Sequence, residues 1–281
     1  MMLDARQAAY LHALGVDVYV ARDAAPSVPP RDVPVAAGET AAVAEPVALA
    51  AAAVATTAPS PAAVRPAAVK MALPPPASTA TDGPDVSGHD WDPLRAAVAA
   101  CVRCELHATR TQTVFGVGDP AARWMFIGEA PGFEEDRRGE PFVGPAGRML
   151  SAMLRSIGLR RDDVYIANVV KCRPPNNRDP RPTETASCRR FLERKVALID
   201  PTLVIAVGRV SAQTLLATDA AVGRLRGKVH AFGSRAWPVV VFYHPSYLLR
   251  TPSSKRQAWQ DLLFARQQFA RLQAAAGTVG R

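Results

Sequence analysis

No apolar run in the sequence is long enough to span a bilayer, because its Ala-rich stretches are cut by Pro, Thr and Ser. A transmembrane helix is therefore not expected. The opening residues MMLDARQAAYLHALG lack the basic start, long apolar core and small-residue cleavage site of a secretory signal, so a cytoplasmic protein is expected. Cysteine is scarce, 4 in 281 residues, which rules out a disulfide-built scaffold. In a reducing compartment those four read as free thiols or metal ligands. Residues 23–88 contain no Phe, Trp or Tyr. Their Ala, Pro, Val, Ser and Thr offer little to bury, and frequent proline removes backbone donors, so this stretch is expected to be a disordered linker. Residues 1–22 before it read as a short, partly amphipathic helix that could dock on a replication or repair protein.

Charge is unevenly placed. Of 34 Lys/Arg and 25 Asp/Glu, only 5 and 8 fall in residues 1–88, leaving 29 and 17 beyond Gly88, a net of +12. Excess positive charge on one folded region suits a polyanion, through phosphate neutralisation and counterion release.

The texture changes at Trp91. A helix through LRAAVAACVRC precedes the apolar strand RWMFIG (Arg123–Gly128). PAGRMLSAMLRSIG follows, with Met149, Leu150, Met153, Leu154 and Ile157 on one helical face and Gly158 closing it. DVYIANVV (Asp163–Val170), TLVIAVG (Thr202–Gly208) and WPVVVFYHP supply three more strands. Helices open at Pro182, follow TLVIAVG, and run from about Ser253 to Ala275. Continuous apolar strands alternating with helices imply an α/β fold, a three-layer α/β/α sandwich around a mainly parallel four-stranded sheet. The domain so defined spans residues 89–281. Such sheets bind ligands at the carboxyl ends of their strands. GEAPG, NVVKCRPPNN and HPSYLLR all sit at such ends.

Cys101 and Cys104 form a CxxC, and Cys172 and Cys188 follow, the first of them at a strand exit. Four thiolates can hold either Zn²⁺ or an iron–sulfur cluster, and the spacing does not choose between them.

Three motifs in order, GEAPGFEEDRRGEPFVGPAGRML (Gly128–Leu150), NVVKCRPPNNRDPRP (Asn168–Pro182) and HPSYLLR (His244–Arg250), with the cysteines, resemble the family 4, iron–sulfur uracil-DNA glycosylases. The resemblance covers about Asp92 to Ala270. It implies a monofunctional glycosylase that flips uracil out of DNA and hydrolyses its N-glycosidic bond, leaving an abasic site. It also implies a 4Fe–4S cluster on Cys101, Cys104, Cys172 and Cys188, uracil-containing DNA as partner, and a monomer. Relatives that form covalent adducts with DNA carry a histidine-bearing basic loop after the second strand. RPPNNRDPRP has no histidine, which sets that class aside.

Within the resemblance, Phe142 is the stacking face and Asn168 the carboxamide that reads the base edge, since an amide can both accept from N3–H and donate to O4. His244 is the donor to uracil O2. Glu135 closes the site near uracil C5, whereas Glu134 and Asp136 read as a solvated acidic turn. Ala130 stands where the best-known uracil-DNA glycosylases carry a water-orienting aspartate, which leaves Glu129 and Asn177 as candidates for orienting water. Leu248 is expected to wedge into the duplex, and Arg250, Lys255 and Arg256 to contact phosphates. His107 and His230 are read as structural. The competing reading is a non-catalytic iron–sulfur module that binds nucleic acid or senses redox state.

Overall fold

A computed structural model describes residues 85–279. The expected N-terminal helix, and the linker apart from its last four residues, lie outside the described residues. Strands β1 (Val117–Gly118), β2 (Trp124–Gly128), β3 (Tyr165–Asn168), β4 (Leu203–Val207), β5 (His230–Phe232) and β6 (Trp237–Phe242) form one sheet in the order β1-β3-β2-β4-β6-β5. The sheet is thus six-stranded and mixed, where four strands were expected. The central four run parallel, and β1 and β5 pair antiparallel at the two edges. Strands of two and three residues at an edge are too short to carry a readable alternation, so they leave no sequence signal.

Among the described residues, the helices are α1 (Trp91–Ala99), α2 (Phe133–Arg138), α3 (Pro145–Ser156), α4 (Pro182–Ile199), α5 (Arg209–Leu216), α6 (Val222–Leu225), α7 (Pro245–Arg250) and α8 (Lys255–Val279). Every residue of β2, β3 and β4 is buried, as parallel strands covered on both faces require. Met125, Ile127, Val204 and Ala206 pack on one face with Leu192 and Val196 of α4 and Leu215 of α5. Trp124, Phe126, Leu203 and Ile205 face the other way, onto Leu150 and Leu154 of α3 and Leu262 and Ala265 of α8. These two cores make the three layers. Truncating one such side chain, Leu150→Ala for example, costs about 2–5 kcal/mol.

Parallel pairing brings the carboxyl ends of β2, β3, β4 and β6 to one edge. Gly128, Asn168, Gly208 and His244 therefore come to the same end of the sheet although 116 positions separate the first from the last. Helix α1 stops at Ala99, so Cys101 and Cys104 fall in the turn after it. α1 packs through Leu94 and Val98 against Phe191 of α4, the helix that carries Cys188. Among the described residues, no helix is long and apolar enough to cross a membrane.

Candidate functional site

The site begins where β2 and β3 end side by side, with Gly128 paired to Asn168. A side chain at Gly128 would not fit: a β-carbon there would lie 2.4 Å from Asn168 Oδ1 and 2.6 Å from Phe142 Cζ. Glycine is thus what lets the carboxamide and the ring share one place. Asn168 is 2% exposed, and its Oδ1 has no hydrogen-bond partner among the described residues. Leaving a buried acceptor unpaired costs about 1–3 kcal/mol.

Phe142 is held in a conformation that an aromatic residue avoids, with φ of 56°. Strain of this kind costs about 1–3 kcal/mol and persists only where the surroundings over-determine it. They do so here. Glu135 Oε1 accepts the N–H groups of Val143 and Gly144 at 3.0 and 3.1 Å. Its Oε2 accepts that of Gly132 at 3.1 Å. Arg161 donates to the carbonyl of Pro141. Gly147, in the first turn of α3, passes so close to the Phe142 carbonyl that a β-carbon would lie 1.7 Å from the oxygen. Glu135, expected to close the site near uracil C5, thus spends Oε1 on the Phe142 loop and Oε2 on the N-cap of its own helix. Asp136 departs from its expected solvated turn: it is 2% exposed and both oxygens accept Thr111 N–H at 3.0 Å. Glu134 stays at the surface beside Arg138.

The imidazole of His244 faces the Phe142 ring, centroids 5.7 Å apart and planes 29° apart. His244 caps α7, its Nδ1 accepting Ser246 N–H at 3.1 Å. That bond places the proton of the neutral ring on Nε2. Burial, with the nearby charge of Arg250, pulls the imidazole down to about 4, against the weaker opposing charge of Glu135. His244 is therefore a neutral donor at physiological pH. Gly208, at φ 92°, lets the chain pass: a β-carbon would meet His244 Cβ at 2.9 Å.

Glu129 follows Gly128 directly and is half-buried. Burial, then the charge of Asp179 and a hydrogen bond with it, push its carboxyl up to about 7. Asp179 is itself ion-paired with Arg209 at the start of α5. The loop bearing Asp179 is anchored by Arg178, which pairs with the buried Glu184 at 2.6 Å. Ala130 packs against the apolar core and brings no polar group. Asn177 is exposed, and its Oδ1 accepts from Arg173 Nε at 2.7 Å.

Leu248, expected to wedge into the duplex, does not reach the surface. It is 1% exposed and belongs to the core beneath α7, so it cannot enter a duplex without unpacking that core. The next residue, Leu249, is 45% exposed. Arg250 and Arg256 are exposed and Lys255 half-buried along the same stretch. His107 and His230 each bond a backbone carbonyl at 2.8 Å, as structural residues do.

Cys101, Cys104, Cys172 and Cys188 line one cavity with Arg110 and Lys171. Among the described residues no three His, Cys, Asp or Glu side chains converge closely enough to chelate a single ion. Burial raises the thiols of Cys104 and Cys172 and pushes Cys188 up to about 12. Arg110 donates to Cys172 Sγ at 3.1 Å. Lys171 is 1% exposed, has no carboxylate partner among the described residues, and donates from Nζ to the backbone carbonyl of Asn168. Two cations in a cavity of thiols with no carboxylate lining fit an anionic guest.

Sequence reasoning passed over Asp179, Lys171, Leu249 and the tautomer-setting Ser246 amide. Only Lys171 had a signal, its place beside Cys172.

Comparison with known proteins agrees with this geometry. Residues 115–263 match the family model described as the uracil DNA glycosylase superfamily. The type-4 uracil-DNA glycosylase of Archaeoglobus fulgidus is 43% identical over 177 residues, covering 60% of this chain and 88% of that protein. The type-4 enzyme of Thermotoga maritima is 44% identical over 160 residues, 56% of this chain and 82% of its own. A type-5 uracil-DNA glycosylase of Thermus thermophilus is 38% identical over 117 residues, 36% of this chain and 53% of its own. With a model match over more than half its length and two type-4 relatives covered over 88% and 82% of theirs, the chain belongs to the uracil-DNA glycosylase superfamily.

Proposed function

We propose that this chain removes uracil from DNA by hydrolysing the N-glycosidic bond, leaving an abasic site and an intact strand. The observation that carries the reading is the unpartnered Oδ1 of Asn168 beside the strained Phe142 ring. A buried acceptor of that kind calls for a donor from the ligand. Uracil offers N3–H, whereas cytosine presents a lone pair at N3, and the site rejects a partner that leaves it unpaired. The flipped base stacks on Phe142, with the Asn168 carboxamide along its N3–O4 edge.

As the C1′–N1 bond lengthens, its electron pair moves onto the base. His244 Nε2–H donates to O2, where that charge gathers. A preorganised donor of this kind is worth roughly 2.7–4 kcal/mol. Water adds at C1′, and the proton it releases passes through solvent to the uracil anion that has left. Glu129, ionised above about 7 against the opposing charge of Asp179, orients that water in place of the missing aspartate at Ala130 and supports the cationic sugar. Asn177 then acts indirectly, by fixing Arg173. Leu249 rather than Leu248 fills the gap left by the base, and Arg250, Lys255 and Arg256 hold phosphates.

The four cysteines hold a 4Fe–4S cluster in this reading. The cluster supplies a cross-link among the turn after α1, the exit of β3 and α4, and carries no step of the reaction. Lys171 and Arg110 compensate its negative charge. The catalytic unit is residues 89–281, acting as a monomer in the cytoplasm, with residues 1–22 docking to a partner. A uracil-containing oligonucleotide, incubated with the protein and then treated with alkali, tests the function: the strand breaks at the former uridine only after alkali. A strand left whole by alkali contradicts it.

A further inference from the structure

Phe133, the first residue of α2, is 50% exposed. Among the described residues the large apolar side chains left exposed are Val102, Phe133, Val229 and Leu249, so Phe133 is the aromatic member of the group. Two guanidiniums attend the ring, Arg173 at 5.0 Å and Arg137 at 5.6 Å from its centroid. Neither is ion-paired to a carboxylate among the described residues. They come from different places: Arg137 lies on α2 itself, while Arg173 is five positions beyond Asn168, in the loop leaving β3. Arg173 is further steadied by Asn177. The aromatic–arginine group therefore bridges the two loops that supply Glu129 and Asn168. Leu249 emerges after β6, on the opposite side of β4 from that pair in the strand order.

An exposed ring beside cations that no carboxylate neutralises is an arrangement that binds single-stranded nucleic acid, the ring taking a base face and the cations the phosphates. A base inside a duplex is already stacked on both sides and gains little from a third surface. We propose that Phe133, with Arg137 and Arg173, is a stacking platform for the nucleotide adjacent to the excised uridine, and that it favours unpaired over paired DNA. The proposal deepens the glycosylase reading and rests on it for the placement of the strand.

The test is an exchange between protein and DNA variants, read as binding rather than turnover. Labelled single strands carry a tetrahydrofuran abasic analogue in place of the uridine, and companions carry a second abasic residue on one side or the other. Anisotropy gives Kd for the wild type, Phe133→Ala and Phe133→Trp. Alanine substitution of a stacking aromatic costs roughly 5- to 150-fold per base. Removing the neighbouring base on one side should weaken the wild type and the Trp variant at least about 5-fold, and the Ala variant less than about twofold. Annealing a complementary strand should shrink the gap between wild type and Phe133→Ala. Equal losses in wild type and Phe133→Ala on both companions overturn the platform. Failure of the wild type to release uracil from a uridine strand overturns the glycosylase reading instead, and the two results are obtained separately.

Discussion

The backbone N–H of Ser246 donates to Nδ1 of His244 at 3.1 Å. One short-range bond thus decides which nitrogen carries the proton and turns a histidine at a strand exit into an Nε2–H donor. Because burial holds the ring neutral down to about 4, the donor has the same form across physiological pH. His244→Ala should lower kcat by roughly 100- to 1,000-fold, the usual effect of deleting an oxyanion donor, with a smaller change in KM. Single-turnover kinetics measure it.

The pH profile separates His244 from Glu129. Glu129, raised to about 7 by burial and by Asp179, is protonated below that value and ionised above it. If its carboxylate orients water, the rate rises with pH through about 7, an apparent value belonging to the Glu129–Asp179 pair. Glu129→Gln should lower the rate and abolish that limb, leaving a single acid limb near 4 from His244. A variant that keeps the limb at about 7 refutes the assignment.

Specificity should fail at two places. Asn168→Ala removes both edge contacts and should cost about 10- to 100-fold or more in kcat/KM for uracil. Gly128→Ala should act as strongly without touching the base, because its β-carbon displaces Phe142 and Asn168 together. Lost activity with stability lowered by only the about 1–3 kcal/mol of overpacking is the expected signature of Gly128→Ala, read by calorimetry beside the kinetic assay.

Protein purified anaerobically should contain iron and acid-labile sulfide and show broad visible absorbance. Cys188→Ser should lose both, and with them stability, since metal binding to a site absent from the unfolded chain adds to folding free energy. Lys171→Met should hold less iron and shift the cluster's reduction potential downward, because a buried cation beside the sulfurs favours the more reduced, more negative state. Colourless protein containing zinc contradicts the cluster.

Much of the fold was legible because buried parallel strands are continuous apolar runs: WMFIG and LVIAV announce themselves, as does the stripe Met149–Leu150–Met153–Leu154 on α3. The edge strands were not, being too short to show a period. The site was legible as letters but not as contacts. Glu135 stands in the acidic run as though aimed at a ligand, and only the folded loop reveals three backbone amides on its oxygens. Leu248 and Leu249 are indistinguishable in sequence. Which of them reaches solvent depends on the phase of a six-residue helix, too short for periodicity to set. Asp179 matters to Glu129 through the path of a loop rich in proline, and no local pattern encodes that.

The most direct measurement is release of free uracil from a uridine-containing single strand at neutral pH, followed over time for wild type and His244→Ala at equal concentration. The account predicts uracil release by the wild type, alkali-labile sites in equal number, and a rate roughly 100- to 1,000-fold lower in the variant. Equal product from the two proteins, or none from either, would contradict it.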